Sequence, residues 1–198
     1  MVSLTTSQIG GLTTTQVTSL SGTTLNGLGA TNLEMLTTSE IKVLVSAQLQ
    51  GLTATNLGSL TTQQIGVLSS NQVGAFGTGQ FTGLTSTQLG VLSATQLGGL
   101  VTADMAVLSG TQISGLSVAQ IADLSSRQLA ALSTTGIASL SIAQVTGLST
   151  QDITGLTTQQ VTAFTVTELT GLSANQIGAF TSIQIAHMAA VQINAILG

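Results

Sequence analysis

Six carboxylates, two cations and one histidine are all the ionisable side chains that this chain of 198 residues offers to chemistry. General acid–base work needs two such groups held within hydrogen-bond reach of a substrate. Four of the carboxylates, Glu40, Asp104, Asp152 and Glu168, instead share one position of an eight-residue pattern and stand mostly far apart along the chain. Their expected role is to cap helices. Glu34 and Lys42 fall one repeat apart at another shared position, where an exposed ion pair would contribute at most about 1 kcal/mol. Asp123 and Arg127 read as a solvated surface pair. His187 has neither a second histidine nor any cysteine to complete a metal site, and reads as variation in a terminal unit. Serines are abundant, but a nucleophilic triad needs an oriented histidine and acid, and nothing marks such a pairing. Gly77-Thr78-Gly79 belongs to the repeat and lacks the strand and helix context of a dinucleotide site. No catalytic, cofactor-binding or metal-ligating residue is therefore expected.

Composition narrows the function classes further. With two Lys and Arg in total, the chain cannot neutralise a run of phosphates or lie as a basic helix on a membrane. Zero cysteines remove disulfide scaffolds and thiolate sites. Ordinary disorder does not fit a mean hydropathy of +0.55. No stretch is long and apolar enough for a transmembrane helix, and Met1 to Leu12 lacks the basic start and apolar core of a signal peptide. There is no Asn-x-Ser/Thr sequon.

What positions these residues is a strict repeat. From Leu4, steps of eight pass through Leu12, Leu20 and Leu28 to Phe180, Met188 and Ile196, and every position is apolar. From Ile9, steps of eight pass through Val17 and Leu25 to Ile185 and Ile193, again without exception. The unit is Leu-Ser/Thr-x-x-Gln-Ile/Val/Leu-small-small, one continuous array over 1–198 of about 24 copies with no insertion or deletion. Both ends look cut within the array.

Eight residues at about 100° each advance the pattern by about 80° beyond two turns, so a continuous helix would spiral its apolar stripe around itself. A coiled coil needs seven or eleven. A flat strand fails on parity, because the two apolar positions lie five and then three residues apart. A short helix fits position by position. Leu-Ser-x-x-Gln-Ile reads as N′, N-cap, N1, N2, N3 and N4: the hydroxyl accepts from the N3 amide, the Gln reaches back to the N-cap amide, and Leu packs on Ile. The frame is clear in Leu116 to Ile121 and in Leu172 to Ile177. Glu40, Asp104, Asp152 and Glu168 at N3 suit both a cap and the positive end of a helix dipole, whereas Thr24 and Gly136 suit it less. At the N-cap, Gly29 and Gly77 are tolerable. Val45, Val101 and Ala189 are not, and each should cost about 1 kcal/mol. The small pairs after N4, such as Gly10-Gly11 and Gly98-Gly99, would let the chain turn and let coils approach closely.

The expected fold is thus all-α, a solenoid of very short capped helical turns, one per repeat, stabilised by stacking. The alternative is a β-solenoid, which the strand propensity of Thr, Val and Ile favours.

Leu84-Thr85-Ser86-Thr87-Gln88-Leu89, Leu92-Ser93-Ala94-Thr95-Gln96-Leu97 and Leu156-Thr157-Thr158-Gln159-Gln160-Val161 resemble the LTTxQ-I/V octapeptide arrays of very long bacterial proteins described as adhesin-like or repeat-containing surface proteins. The resemblance covers the whole chain and implies an extracellular or cell-surface location. The expectation is a structural protein, a stalk, spacer or self-assembling filament subunit, without enzymatic activity. With 4% charged residues, little repulsion keeps copies apart, and self-association end to end or laterally is expected. Ile183 to Leu197, richer in apolar residues, reads as a terminal cap or a contact to another subunit. The alternative function is a module binding ice or carbohydrate through threonines in register on a β-solenoid face.

Overall fold

The computed structural model describes residues 5–198, so Met1-Val2-Ser3 and Leu4, the first residue of the Leu row, lie outside the described residues. Among those described, the chain forms 24 short helices, numbered in order from α1 (Thr6–Ile9) to α24 (Ala190–Leu197), and no strand. The β-solenoid is thereby excluded, and with it the in-register threonine face on which ice or carbohydrate binding depended. Thr, Val and Ile lose little by being helical here, because they mostly occupy first-turn positions and corners where a cap and a stacked neighbour decide the conformation.

Each helix begins where the capping frame places it. In α8 (Thr62–Gly66), Thr61 is extended (φ −68°, ψ 159°), its hydroxyl accepts from the Gln64 amide, and Gln64 Oε1 accepts from the Thr61 amide at 2.8 Å. The same reciprocal pair recurs in α15 (Val118–Ala122) between Ser117 and Gln120 and in α20 (Thr158–Val161) between Thr157 and Gln160. The corners differ from the expectation drawn from glycine. Among the described residues, only Gly29 (φ 76°) and Gly198 (φ 57°) have positive φ. The chain turns instead by entering the extended region at the Leu row, as at Leu132 (φ −62°, ψ 142°) and Leu156 (φ −64°, ψ 145°).

The structure divides into two compact units, one ending at Leu100 and the other beginning at Val101. In the first, α5 (Thr38–Lys42) packs on α8, α3 (Gly22–Gly27) on α6 (Ser46–Gln50), and α7 (Ala54–Gly58) on α10 (Thr78–Phe81). In the second, α13 (Thr102–Val107) packs on α16 (Ser126–Ala131), and α15 packs on α18 (Ile142–Thr146), which packs on α21 (Val166–Thr170). Within each unit, helices thus meet the third one after them, so three octapeptides make one coil.

The two apolar rows fill the inside of each unit. The Ile row is at most 2% exposed from Ile9 to Leu169, and the Leu row 2–7% exposed from Leu36 to Leu172. Glycines matter where coils touch. A Cβ on Gly51 would lie 2.7 Å from the Gly22 Cα, and one on Gly83 would fall inside the backbone of Ala54. A Cβ on Gly147 would lie 2.8 Å from Val118 Cγ1, and one on Gly171 would touch Thr146 and Ile142 more loosely, at 3.3 and 3.4 Å.

Candidate functional site

Every buried polar or charged side chain among the described residues stands at N3, from Glu40 to Gln192. That row is the one place where this chain concentrates polar chemistry away from water. Its position follows from the local frame: N3 sits one residue before the most buried apolar position, and the capping bond turns the side chain back toward the preceding corner.

Capping uses only the amide oxygen of each glutamine. The nitrogen works between coils. Gln64 Nε2 donates to the carbonyls of Leu33 (2.9 Å) and Leu36 (2.7 Å), the corner that leads into α5 beneath it. Gln80 does the same to Leu49 and Leu52, both at 2.8 Å. In the second unit, Gln160 donates to Leu129 (2.9 Å) and Leu132 (2.8 Å), and Gln184 donates to Ile153 and Leu156, both at 2.8 Å. A helical turn leaves its last carbonyls without intrahelical donors. The N3 glutamine of the coil above supplies them, so one side chain starts its own helix and finishes the one below.

This second role is what the sequence reading missed. A signal for it was present. A capping box accepts Glu as readily as Gln, and the helix dipole favours Glu, yet Gln stands at N3 in sixteen repeats and Glu in two. Only an amide both accepts at its own cap and donates to a neighbouring carbonyl.

The exceptions at N3 are accommodated one by one. Glu40, Asp104, Asp152 and Glu168 do cap, accepting from the amides of Thr37 (2.7 Å), Val101 (2.9 Å), Ser149 (3.0 Å) and Thr165 (2.7 Å). Asp152 cannot donate between coils, but its other oxygen accepts from the Ser126 hydroxyl of the coil below at 3.0 Å. Asn56, too short for the usual reach, donates to the carbonyl and side-chain oxygens of Asn26, both at 2.8 Å. Thr24 exchanges a hydrogen bond with the Ser21 hydroxyl at 2.8 Å, and Gly136 has no side chain to offer. Asp104 is buried, and desolvation raises its pKa above the ordinary carboxyl value against the lowering effect of the Val101 amide.

The caps without a hydroxyl are better satisfied than expected. The N3 amides of Gln48, Asp104 and Gln192 donate to the carbonyls of Val45 (2.9 Å), Val101 (3.0 Å) and Ala189 (2.9 Å), and Gln80 does so to Gly77 (2.8 Å). A tightened first turn takes the place of the missing side chain, so these joints lose less than a full cap.

The remaining candidates are not brought together. Glu34 and Lys42 are exposed and lie on consecutive sides of a coil, since stacking joins helices three apart; they do not stack on each other. Asp123 and Arg127 are both exposed. His187 is exposed, its Nδ1 2.8 Å from the Ile183 carbonyl. No group of three or more His, Cys, Asp or Glu able to hold a metal occurs among the described residues, and no helix there is long and apolar enough to cross a membrane. One shallow surface groove, lined by Ser70, Asn71, Gly74, Ala75 and Gly99, carries no titratable group, and another has Lys42 at its edge beside Val45 and Val67.

Residues 41–78 and 100–134 match the model of the ALTTAQ repeat family, and the two matched stretches are similar to it in the Leu-Ser/Thr-x-x-Gln frame that builds each turn. No curated protein matches the chain.

Proposed function

We propose that the chain is a structural repeat protein, a spacer or stalk at a bacterial cell surface whose copies join into filaments, and that it carries no catalysis. The observation that supports this reading is the use made of the buried polar row. A glutamine of the N3 row is committed twice over, to its own cap and to the coil beneath, as at Gln64 and Gln160. Polar groups committed to backbone partners are not poised for a substrate. A fold in which each coil repeats the contacts of the last gains length by adding coils, which is what a spacer needs. The surface location rests on the resemblance of the octapeptides to those of long bacterial surface proteins.

Small-angle scattering on the folded monomer tests the spacer reading. A compact globule of this length has a radius of gyration of about 16 Å. A spacer should exceed that figure clearly; a value at it would overturn the reading.

A further inference from the structure

Three asparagines meet where the glutamine row is broken. Asn32 and Asn56 stand at N3 of α4 (Ala30–Glu34) and α7, and neither completes a capping box. Asn32 Nδ2 donates instead to the Leu28 carbonyl at 3.1 Å, the carbonyl that a glutamine at 56 would take 28 residues back, as Gln80 takes that of Leu52. Asn26 supplies what the cap at Thr53 lacks. Its Oδ1 accepts from the Thr53 amide and from Asn56 Nδ2, both at 2.8 Å, and its carbonyl accepts from Asn56 Nδ2 at 2.8 Å. Asn26 is half-buried; Gly27 follows it, exposed, and the two form the one Asn-Gly pair in the sequence. Packing does not ask for that glycine. A Cβ on Gly27 would meet nothing within 4 Å, and its φ is not positive. What glycine supplies there is an unhindered backbone nitrogen beside an asparagine amide.

We propose that Asn26-Gly27 is a latent modification site, an asparagine that is deamidated by water once its coil opens and is protected by the stacked coil until then. The Gly27 nitrogen attacks Asn26 Cγ and the bond from Cγ to Nδ2 breaks; the amide leaves as ammonia, carrying the proton that Gly27 gives up. Water then opens the succinimide ring at either carbonyl, giving aspartate or isoaspartate. Two features hold the reaction back in the fold. Helical backbone at Asn26 in α3 turns the Gly27 nitrogen away from Cγ and commits its N–H along the helix. The bonds from Thr53 and Asn56 pin the side chain. The two products then fare differently. An aspartate at 26 still accepts from Thr53 and Asn56, now with charge assistance. An isoaspartate adds a methylene to the main chain and puts Leu28 out of register with its row. Opening of this coil thus leaves a permanent chemical mark.

The test incubates the 198-residue chain at mildly alkaline pH and one temperature, folded in buffer and unfolded in guanidinium, and follows every asparagine by peptide mapping with mass spectrometry. Unfolded, Asn26 should convert faster than the other five asparagines. Folded, it should convert at least about tenfold more slowly. Gly27→Ala should slow the unfolded reaction severalfold and, given the open space at that position, leave the circular dichroism unchanged. Asn56→Ala keeps the Thr53 hydroxyl cap but releases Asn26, so it should raise the folded rate about three- to tenfold and leave the unfolded rate alone. The comparison of folded and unfolded parent needs no variant to fold. A folded chain that converts Asn26 as fast as the unfolded one, or an unfolded chain in which Asn26 is not the fastest, would overturn the proposal. So would an unfolded Gly27→Ala chain that reacts as readily as the parent, or a folded Asn56→Ala chain that reacts no faster.

Discussion

Replacing Gln64 by methionine separates the coil-joining role of the N3 glutamine from its bulk. Methionine has nearly the same volume and reaches the same space, so no cavity is added to the cost. Three short hydrogen bonds are lost, with a longer one to the Glu34 carbonyl (3.4 Å) that adds little. The Leu36 carbonyl loses its Gln64 donor in a buried corner, which costs about 1–3 kcal/mol. The Leu33 carbonyl keeps the Leu36 amide at 3.2 Å and so loses only about 0.5–1 kcal/mol. The Thr61 amide loses its acceptor at an exposed cap, where water replaces it for about 0.5 kcal/mol. The expected total is about 2–4 kcal/mol. Gln16→Met is the control. Gln16 is exposed and caps Thr13 at 2.8 Å, and no inter-coil bond extends from it, so about 0.5–1 kcal/mol is expected. Gln64→Glu keeps the cap, as Glu40 does, and should fall between the two but nearer to methionine. Urea unfolding followed by circular dichroism measures the differences. Native-state hydrogen exchange at the Ile65 amide checks that the loss is local, since an array can shed coils separately. Equal costs at Gln64 and Gln16 would refute the claim that the amide nitrogen joins coils.

Burial sets the sign of a pH effect at Asp104: its folded pKa lies above its unfolded value, so its contribution is fully present below the unfolded pKa and is lost as pH rises through the folded one. Asp104→Asn, which can still accept from the Val101 amide, should therefore gain on the parent as pH rises from 3 to 7 in urea titrations; parallel curves would refute this. Ser117→Ala should cost about 0.5–1 kcal/mol, the low end for a cap, because the Gln120 amide can turn to the Ser117 carbonyl as its counterpart does at Val45. Thermal melts compare it with the parent, and a loss near 2 kcal/mol would show that the tightened turn gives no relief. Gly147→Ala places a Cβ 2.8 Å from Val118 Cγ1 and should cost about 1–3 kcal/mol, most of it recovered in the double variant with Val118→Ala. A double-mutant cycle with no coupling would refute the contact.

The parts of the fold that depend on neighbours in sequence were legible; the parts that depend on the neighbouring coil were legible only as unexplained preferences. The staple from Leu to Ile and the reciprocal cap at Ser117 and Gln120 are local, so eight residues suffice to specify them. Strand propensity misled because it weighs Val118, Ile142 and Val166 as if nothing else fixed them. Each sits at the first helical position behind a hydroxyl cap, where the turn is already decided. The corners misled for a related reason. Small residues there suggest both that the chain turns and that coils approach; the Leu row makes the bend, and the small residues serve the approach to the coil above or below.

That approach has its own register. Across stacked helices, the first helical residue meets the residue 29 positions later: Gly22 with Gly51, Ala54 with Gly83, Val118 with Gly147, and Ile142 with Gly171. Val118 and Ile142 each face a glycine, and Gly110 faces Ser139. At Val118 and Ile142 the close packing leaves no room for a second side chain. The same constraint acts on polarity at N3, where the short Asn56 is matched by Asn26 and the donor-less Asp152 by Ser126. A repeat of eight fixes what each turn is. Pairs about one coil apart decide which turns can lie on one another, so those compensating exceptions, more than the consensus, carry the record of three repeats per coil.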